Sequence, residues 1–359
     1  MSRTPQRSDT LAVGLVGAGW MGQTHGRGWL DNAPRGRIVA VADSSGERAA
    51  DLSARFAAGQ ARTYPDLEAL LGDPEVEAVD ICLPHHLHKD AIVAAAAAGK
   101  HVLCEKPLCL TLDEARQIRE AIDRTGVTFM SAHNNLFAPA LVAARRLLAE
   151  GSLGAVHFAR STEAGRNANF KSGAPPIELA PGDSSWSWRR DPAKAGGGEV
   201  LDTGWHGAYR LLALAGSRPV EVAAMLADYF IGQPGVEDTG AVLVRFENGA
   251  TGFLFTSWAF GDPPGAYQFQ VGAEHGVLGG TSTRLLVARF GSQAEEQTFP
   301  PANTFAQEIT HFLDVVQHGA PPLASWADAA RVLQLILGAY QAAAERRTVT
   351  LPQDPTTLS

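Results

Sequence analysis

Residues 11–22 read Leu11-Ala12-Val13-Gly14-Leu15-Val16-Gly17-Ala18-Gly19-Trp20-Met21-Gly22. A short apolar run, a turn of three spaced glycines and a helix-like stretch follow one another. Each glycine has a task in such a turn. Gly17 permits the tight bend, Gly19 lets the backbone approach a pyrophosphate, and Gly22 lets the helix lie close on the strand. The helix N-terminus then turns free N–H groups toward phosphate oxygens. A glycine triplet alone is a weak signal. Its place between strand and helix, and Asp43 at the end of the next strand, strengthen it, because an acidic residue about 20 positions on is part of the pattern. The combination predicts a dinucleotide site. A carboxylate at Asp43 suits ribose hydroxyls and repels a 2′-phosphate, and Ser44, Ser45 and Gly46 supply no offsetting charge. NAD is therefore expected over NADP, with Arg48 one turn on to soften the preference.

Working outward, strand and helix patterns alternate through the first third. Strands are expected at Leu11–Val16, Arg37–Asp43, Val76–Pro84, His101–Pro107 and Val127–His133. Helices are expected to about Leu30, then at Gly46–Phe56, Leu87–Ala98 and Thr111–Arg124. Apolar strands separated by helices indicate a parallel sheet covered on both faces. Past residue 150 the texture changes. Residues 166–192 are polar and rich in Gly, Pro and Ser. A helix is expected near Gly198–Ala215, and strand-like runs follow at Pro219–Tyr229, Ala241–Phe246, Gly252–Phe260, Tyr267–Ala273 and Arg284–Phe290. Glu247-Asn248-Gly249 is a hairpin signal. Two helices, Phe305–Gln317 and Trp326–Arg346, close the chain. The fold class is α/β: a Rossmann domain over residues 1–134, doubly wound on a parallel sheet, and an α/β domain over 135–359 with an open, mostly antiparallel sheet.

Composition narrows the partners. The 359 residues are 45% hydrophobic and 19% charged, with 30 Lys+Arg against 38 Asp+Glu and a formal net charge of −8. A mildly acidic chain without basic stripes does not suit nucleic acid. No apolar stretch approaches the roughly 18 residues of a membrane span. Arg3 and Arg7 before an apolar run resemble a secretory signal, but cleavage there would destroy the glycine pattern, so none is expected. Cys82, Cys104 and Cys109 fit neither a disulfide framework nor a zinc site, and reduced thiols point to the cytoplasm.

Two further signals carry chemistry. Glu105-Lys106-Pro107 closes a strand, and ligands of open parallel sheets bind at the carboxyl ends of strands. Lys106 should thus face the reactive end of the cleft, with Pro107 barring helical angles and admitting a cis bond. Residues 196–206 read GGGEVLDTGWH. Asp202 and His206, four apart, would share one helix face, where a carboxylate can fix the tautomer of a general base. A surface pair or a satisfied core histidine is the plainer alternative. His85, His86 and His88 could suggest a metal, but no matching carboxylate or cysteine spacing accompanies them, and none is expected. Trp186 and Trp188 offer faces to a sugar ring, with Arg189 or Arg190 for an anionic group. A hydrophobic plug explains the tryptophans equally well. The stripe Phe305, Ile309, Phe312 and Val316 reads as core.

Together, GAGWMG…H at Gly17–His25, EKP at Glu105–Pro107, HNNLFAP at His133–Pro139, GSLG at Gly151–Gly154 and GGG-x₃-D-x₃-H at Gly196–His206 resemble the Gfo/Idh/MocA oxidoreductases. The likeness covers nearly the whole chain. It implies oxidation or reduction of a sugar, inositol or related polyol with NAD(P), and a homodimer or homotetramer built on the C-terminal sheet. It implies that Lys106 stabilises the alkoxide, that His206 takes the hydroxyl proton and that Asp202 orients His206 or a substrate hydroxyl. Cofactor contacts would come from Gly17, Gly19, Trp20, Met21, Gly22, Asp43, Pro84, His88, Glu105 and Lys106. Substrate contacts would come from Asn134, Trp186, Trp188 and Arg189. Two departures stand out. The arginine of the relatives' Asn-x-Arg-Phe is missing at Asn134–Phe137, and Tyr209 stands where many place an aspartate. A redox-neutral, glycoside-cleaving enzyme that recycles NAD and a non-catalytic NAD-binding regulator remain as alternatives.

Overall fold

In the computed structural model, residues 10–172 and 186–358 are described. The first sheet holds β1 (Leu11–Val16), β2 (Gly36–Ala42), β3 (Arg62–Tyr64), β4 (Ala78–Ile81), β5 (His101–Cys104) and β6 (Phe129–Ser131). All are parallel, in the order β3-β2-β1-β4-β5-β6. Every residue of β1 is buried, as expected of a strand covered on both faces. The covering helices are α1 (Trp20–Asp31), α2 (Gly46–Phe56), α3 (Leu67–Leu71), α4 (His88–Ala97) and α5 (Leu112–Thr125), and α6 (Pro139–Ala149) leads onward. Local chemistry sets their ends. Ser45 caps α2, and Thr111 with Glu114 forms a capping box on α5, which stops at left-handed Gly126. The chain switches direction between β1 and β4, so the crevice for a ligand lies at their carboxyl ends.

The second sheet has nine strands: β7 (Val156–Ala164), β8 (Pro219–Ala227), β9 (Thr239–Phe246), β10 (Thr251–Ser257), β11 (Phe269–Ala273), β12 (Gly276–Gly280), β13 (Arg284–Arg289), β14 (Glu295–Thr298) and β15 (Val349–Thr350). Their order is β14-β13-β12-β11-β7-β10-β9-β8-β15, antiparallel except for β7 against β10. Short helices α7 (Ala168–Ser172) and α8 (Pro192–Ala195) precede α9 (Gly204–Ala215). On β9, Val242, Val244 and Phe246 are buried while Leu243 and Arg245 point outward, the alternation of a sheet with one covered face.

The chain then returns. In α10 (Thr304–His318), Thr310 donates to Asn32 at 2.6 Å and Asp314 pairs with Arg35 at 2.7 Å, so this helix lies on α1. Helix α11 (Trp326–Glu345) starts from a Ser325–Asp328 capping box and packs against α9 and β8.

Several expectations are corrected here. The expected helix from Gly198 begins only at Gly204. Strands β3, β7, β12, β14 and β15 and helix α6 were not expected. The Val76–Pro84 and His101–Pro107 strands are shorter than expected, because the chain leaves the sheet after Ile81 and after Cys104, and Cys82–Pro84 go on to line the crevice.

Candidate active site

A cleft of about 950 Å³ opens at the carboxyl ends of β1, β2 and β4, lined by Gly17, Gly19, Trp20, Met21, Asp43 and Pro84 among others. The glycines are dictated by crowding. Gly17 has φ +95°, and an added Cβ would stand 2.5 Å from the Cys82 carbonyl. At Gly22 it would stand 1.9 Å from the Gly17 carbonyl. At Gly19 a Cβ would meet nothing within 4 Å, so this backbone faces the open cleft. No side chain caps α1. An uncapped helix N-terminus beside open backbone fits a pyrophosphate. The residues present therefore fit a dinucleotide.

Asp43 is less free than its position suggested. One oxygen accepts from the Ala18 N–H at 2.7 Å. The other accepts from the Ser45 N–H and from Arg48 Nη2, both at 2.7 Å. Arg48 lines the cleft, with its Nε buried and unpartnered among the described residues.

Next to the cleft-lining Arg189, through their shared partner Asp202, stands Lys106. The Lys106–Pro107 peptide is cis. Lys106 Nζ donates to Asp202 Oδ1 at 2.7 Å and to the Asp202 carbonyl at 2.9 Å. Arg189 Nε donates to Asp202 Oδ2 at 2.9 Å. Burial alone would raise the Asp202 carboxyl, but Lys106 and Arg189 outweigh it and hold the group well below the usual carboxylate range. Asp202 is thus a carboxylate shared by two cations. It precedes α9 and does not share a helix face with His206, which corrects the expected Asp202–His206 pair. The loop carrying Asp202 is tightly built. A Cβ at Gly198 would lie 1.9 Å from the Glu237 carbonyl, and Glu237 accepts N–H bonds from Gly198 and Val200 at 2.9 and 3.0 Å.

His206 sits in the first turn of α9, half-buried, and its Nδ1 has no partner among the described residues. Burial, then the Lys106 charge, hold its pKa well below the ordinary 6.5. The imidazole is neutral at pH 7 and able to accept a proton. Beside it lies His133, with ring centroids 5.1 Å apart. His133 stacks on Tyr209 at 4.3 Å, has both nitrogens unpartnered among the described residues, and is pushed by burial down to about 3. Tyr209, one departure noted in the sequence, thus packs behind the histidines.

A buried network under Lys106 was not anticipated. His25 Nδ1 lies 2.9 Å from Asp80 Oδ2, and its Nε2 lies 3.0 Å from Glu105 Oε1. Burial opposes a charge on His25, yet Asp80 overrides it and raises the imidazole well above 6.5. Glu105 stays ionised against its burial through His25, and its other oxygen accepts the Lys106 N–H at 2.9 Å. Glu105 therefore acts behind the cleft. The only signal in the sequence was that Gly17–His25 and Glu105–Pro107 belong to one pattern. His25, Asp80 and Cys82 form the one metal-type group among the described residues, but their donor atoms already bond each other, Trp29 and Glu105.

The remaining candidates divide. His88 is fully buried, with both nitrogens against the Leu83 and Pro107 carbonyls at 2.8 and 2.7 Å, so it pins the strand ends that shape the cleft. His85 turns to the Ala195 carbonyl, and the three neighbouring histidines do not converge. Trp186 packs in a cluster with Trp20, Phe170 and Trp258, as a plug would, and it also lines the cleft. Trp188 lines the cleft and lies 4.5 Å from His85. Arg189 is held between Trp186 and Trp188, 4.0 and 4.2 Å from their rings. Asn134 donates to Thr304 at 2.9 Å, tying the turn after β6 to α10.

Comparison with known proteins agrees with this architecture. Residues 11–133 match the family model described as an oxidoreductase family with an NAD-binding Rossmann fold, and residues 141–278 match the GFO/IDH/MocA C-terminal domain. The chain belongs to the Gfo/Idh/MocA oxidoreductase family. It is 31% identical to 1,5-anhydro-D-fructose reductase of Ensifer adhaerens, over 92% of this chain and 96% of that one. It is 27% identical to inositol 2-dehydrogenase of Rhizobium meliloti strain 1021, over 95% and 99%. A solved levoglucosan dehydrogenase in complex with NADH and levoglucosan superposes with a TM-score of 0.85 at 25% identity, covering 96% of this chain and all of that one. This chain is accordingly an NAD-dependent oxidoreductase, and among its described residues no helix is long and apolar enough to cross a membrane.

Proposed function

We propose that this protein transfers hydride between NAD and a hydroxyl carbon of a sugar or cyclic polyol, with Lys106 and His206 as the catalytic pair. One observation carries the reading: Lys106 is clamped by Asp202, whose other oxygen is held by the cleft-lining Arg189, and neutral His206 lies within reach of the Lys106 charge. When bound, nicotinamide supplies the hydride acceptor. The chain's own residues do the rest. Lys106 places positive charge where the substrate oxygen becomes an alkoxide, and His206 accepts the hydroxyl proton. Asp202 holds Lys106 in place, and Arg189 braces Asp202. Trp188, Arg189 and Asn134 are proposed to face the substrate. The relatives named for an anhydro-ketose, an anhydro-sugar and an inositol support a ring-locked polyol as the substrate class.

The division into residues 1–134 and 135–359 is part of the proposal, supported by the two separate sheets. So is a cytoplasmic location, which three free cysteines fit. So is a homodimer or homotetramer through the outer face of the second sheet. There Met225 is 83% and Leu243 54% exposed, with half-buried Phe253 and Phe255 alongside. The test of function is a panel read by absorbance of the reduced cofactor: levoglucosan and inositols with NAD, 1,5-anhydro-D-fructose with NADH. Turnover on a ring polyol is expected, and no turnover across the panel would contradict the reading.

A further inference from the structure

A second cavity, of about 460 Å³, lies away from the cofactor cleft, where α6, the end of α9 and the start of α11 meet. Three guanidiniums line it: Arg145, Arg218 and Arg331. Arg145 is half-buried and has no hydrogen-bond or ion-pair partner among the described residues. Arg331 donates only to neutral oxygens, those of Pro352 at 3.2 Å, Gln353 at 2.7 Å and Gln334 at 2.9 Å. Arg218 pairs with exposed Glu247 at 2.9 Å and donates to the Leu351 carbonyl at 3.1 Å. The one carboxylate in the lining, Asp328, accepts the Ser325 N–H and hydroxyl through a single oxygen at the cap of α11, so one negative charge faces three guanidiniums there. Burial and the nearby Arg218 charge both work against the proton on Arg331.

Partly buried cations that repel one another are costly unless an anion joins them. Guanidiniums are suited to that task, since their forked donors match carboxylate and phosphate oxygens. We propose that this cavity binds a polyvalent small-molecule anion, phosphate-bearing or polycarboxylate. Its volume suits a metabolite-sized ligand. Tyr209 lines the cavity and stacks on His133, which faces His206, so the site adjoins the wall of the catalytic centre.

The test uses the full chain saturated with NAD, so that the pyrophosphate cleft is already filled. Inorganic phosphate and citrate are titrated against chloride at matched ionic strength, with thermal shift and calorimetry as readouts. Saturable binding of at least one probe is expected, with Tm raised by about 2 °C at ten times Kd. Arg145→Gln should weaken that binding about tenfold, the order expected for losing a charge-assisted contact. Its Tm in chloride should match the wild type, because Arg145 has no partner to lose. Arg331→Lys keeps the charge but not the fork, and should weaken binding several-fold. Phosphate binding alone assigns a phosphate ligand, and citrate binding alone a polycarboxylate. No response beyond chloride, or an equal response in Arg145→Gln, overturns the proposal.

Discussion

Asp43 shows how a cofactor preference is set within a few ångströms. Its carboxylate pairs with Arg48 inside the cleft, so the guanidinium is neutralised beside the place where a ribose would lie. Removing the carboxylate frees that charge. Asp43→Ala should shift the ratio of NADP to NAD affinity toward NADP by about tenfold or more, one charge contact being worth ~1.4 kcal/mol. Fluorescence titration with both cofactors checks it, and an unchanged ratio would count against the role of Asp43. At His206 the sign of the pH effect follows from the lowered pKa. A base must be unprotonated, so oxidation rises as pH climbs through that pKa. The rising limb should lie below pH 6.5, with a plateau through neutrality. His206→Ala should lose ~10²–10⁴ in kcat and the limb with it. Asp202→Asn keeps the shape of the side chain but not the charge that holds Lys106 and Arg189. Turnover should fall by about 10–100-fold, with NAD affinity nearly unchanged, as an interaction made at the reacting end requires.

At the scale of elements, what could be read from the sequence was what is locally encoded. β1, its glycine turn, α2 and α5 carry their caps and apolar runs within a dozen residues, and they stand where the pattern put them. The ends of the two site segments, EKP and GGG-x₃-D-x₃-H, were legible for the same reason. β7 was not. Its Arg160-Ser161-Thr162-Glu163 is polar, yet it lies mid-sheet, laddered to β10 and β11, and Arg210 of α9 reaches it. Arg210 donates to Ser161 Oγ at 3.0 Å and to the Thr162 carbonyl at 2.6 Å, and it pairs with Glu163 at 3.0 Å. Partners about 48 residues away leave no local trace. The same holds for His25 with Glu105 and for Arg189 with Asp202. Asp202 was misplaced because an i, i+4 spacing was read as helix, whereas Gly204 starts it two residues later. Arg210→Met should therefore cost about 3 kcal/mol of stability, the scale of a broken buried pair. Chemical denaturation measures it, and a loss below about 1 kcal/mol would show that β7 does not depend on Arg210.

At the scale of the molecule, two sheets serve two purposes. The parallel sheet offers its carboxyl ends to NAD, and the open sheet backs α9, which presents His206. The outer face of that open sheet carries Met225 and Leu243 in the open, and this is the face proposed above as the contact between copies of the chain. The double variant Met225→Glu/Leu243→Glu should lower the mass seen by light scattering from dimer or tetramer to monomer. A wild-type mass equal to one chain would remove that interface from the account. The central claim is that Lys106 and its clamp perform the chemistry beside a separate cofactor site, and one measurement tests it most directly. Turnover of wild type and Lys106→Ala is compared on a confirmed ring-polyol substrate, with the NAD dissociation constant measured on both. A fall of ~10²–10³ or more in kcat, with NAD affinity within about threefold, is the predicted result. Wild-type turnover in Lys106→Ala would contradict it.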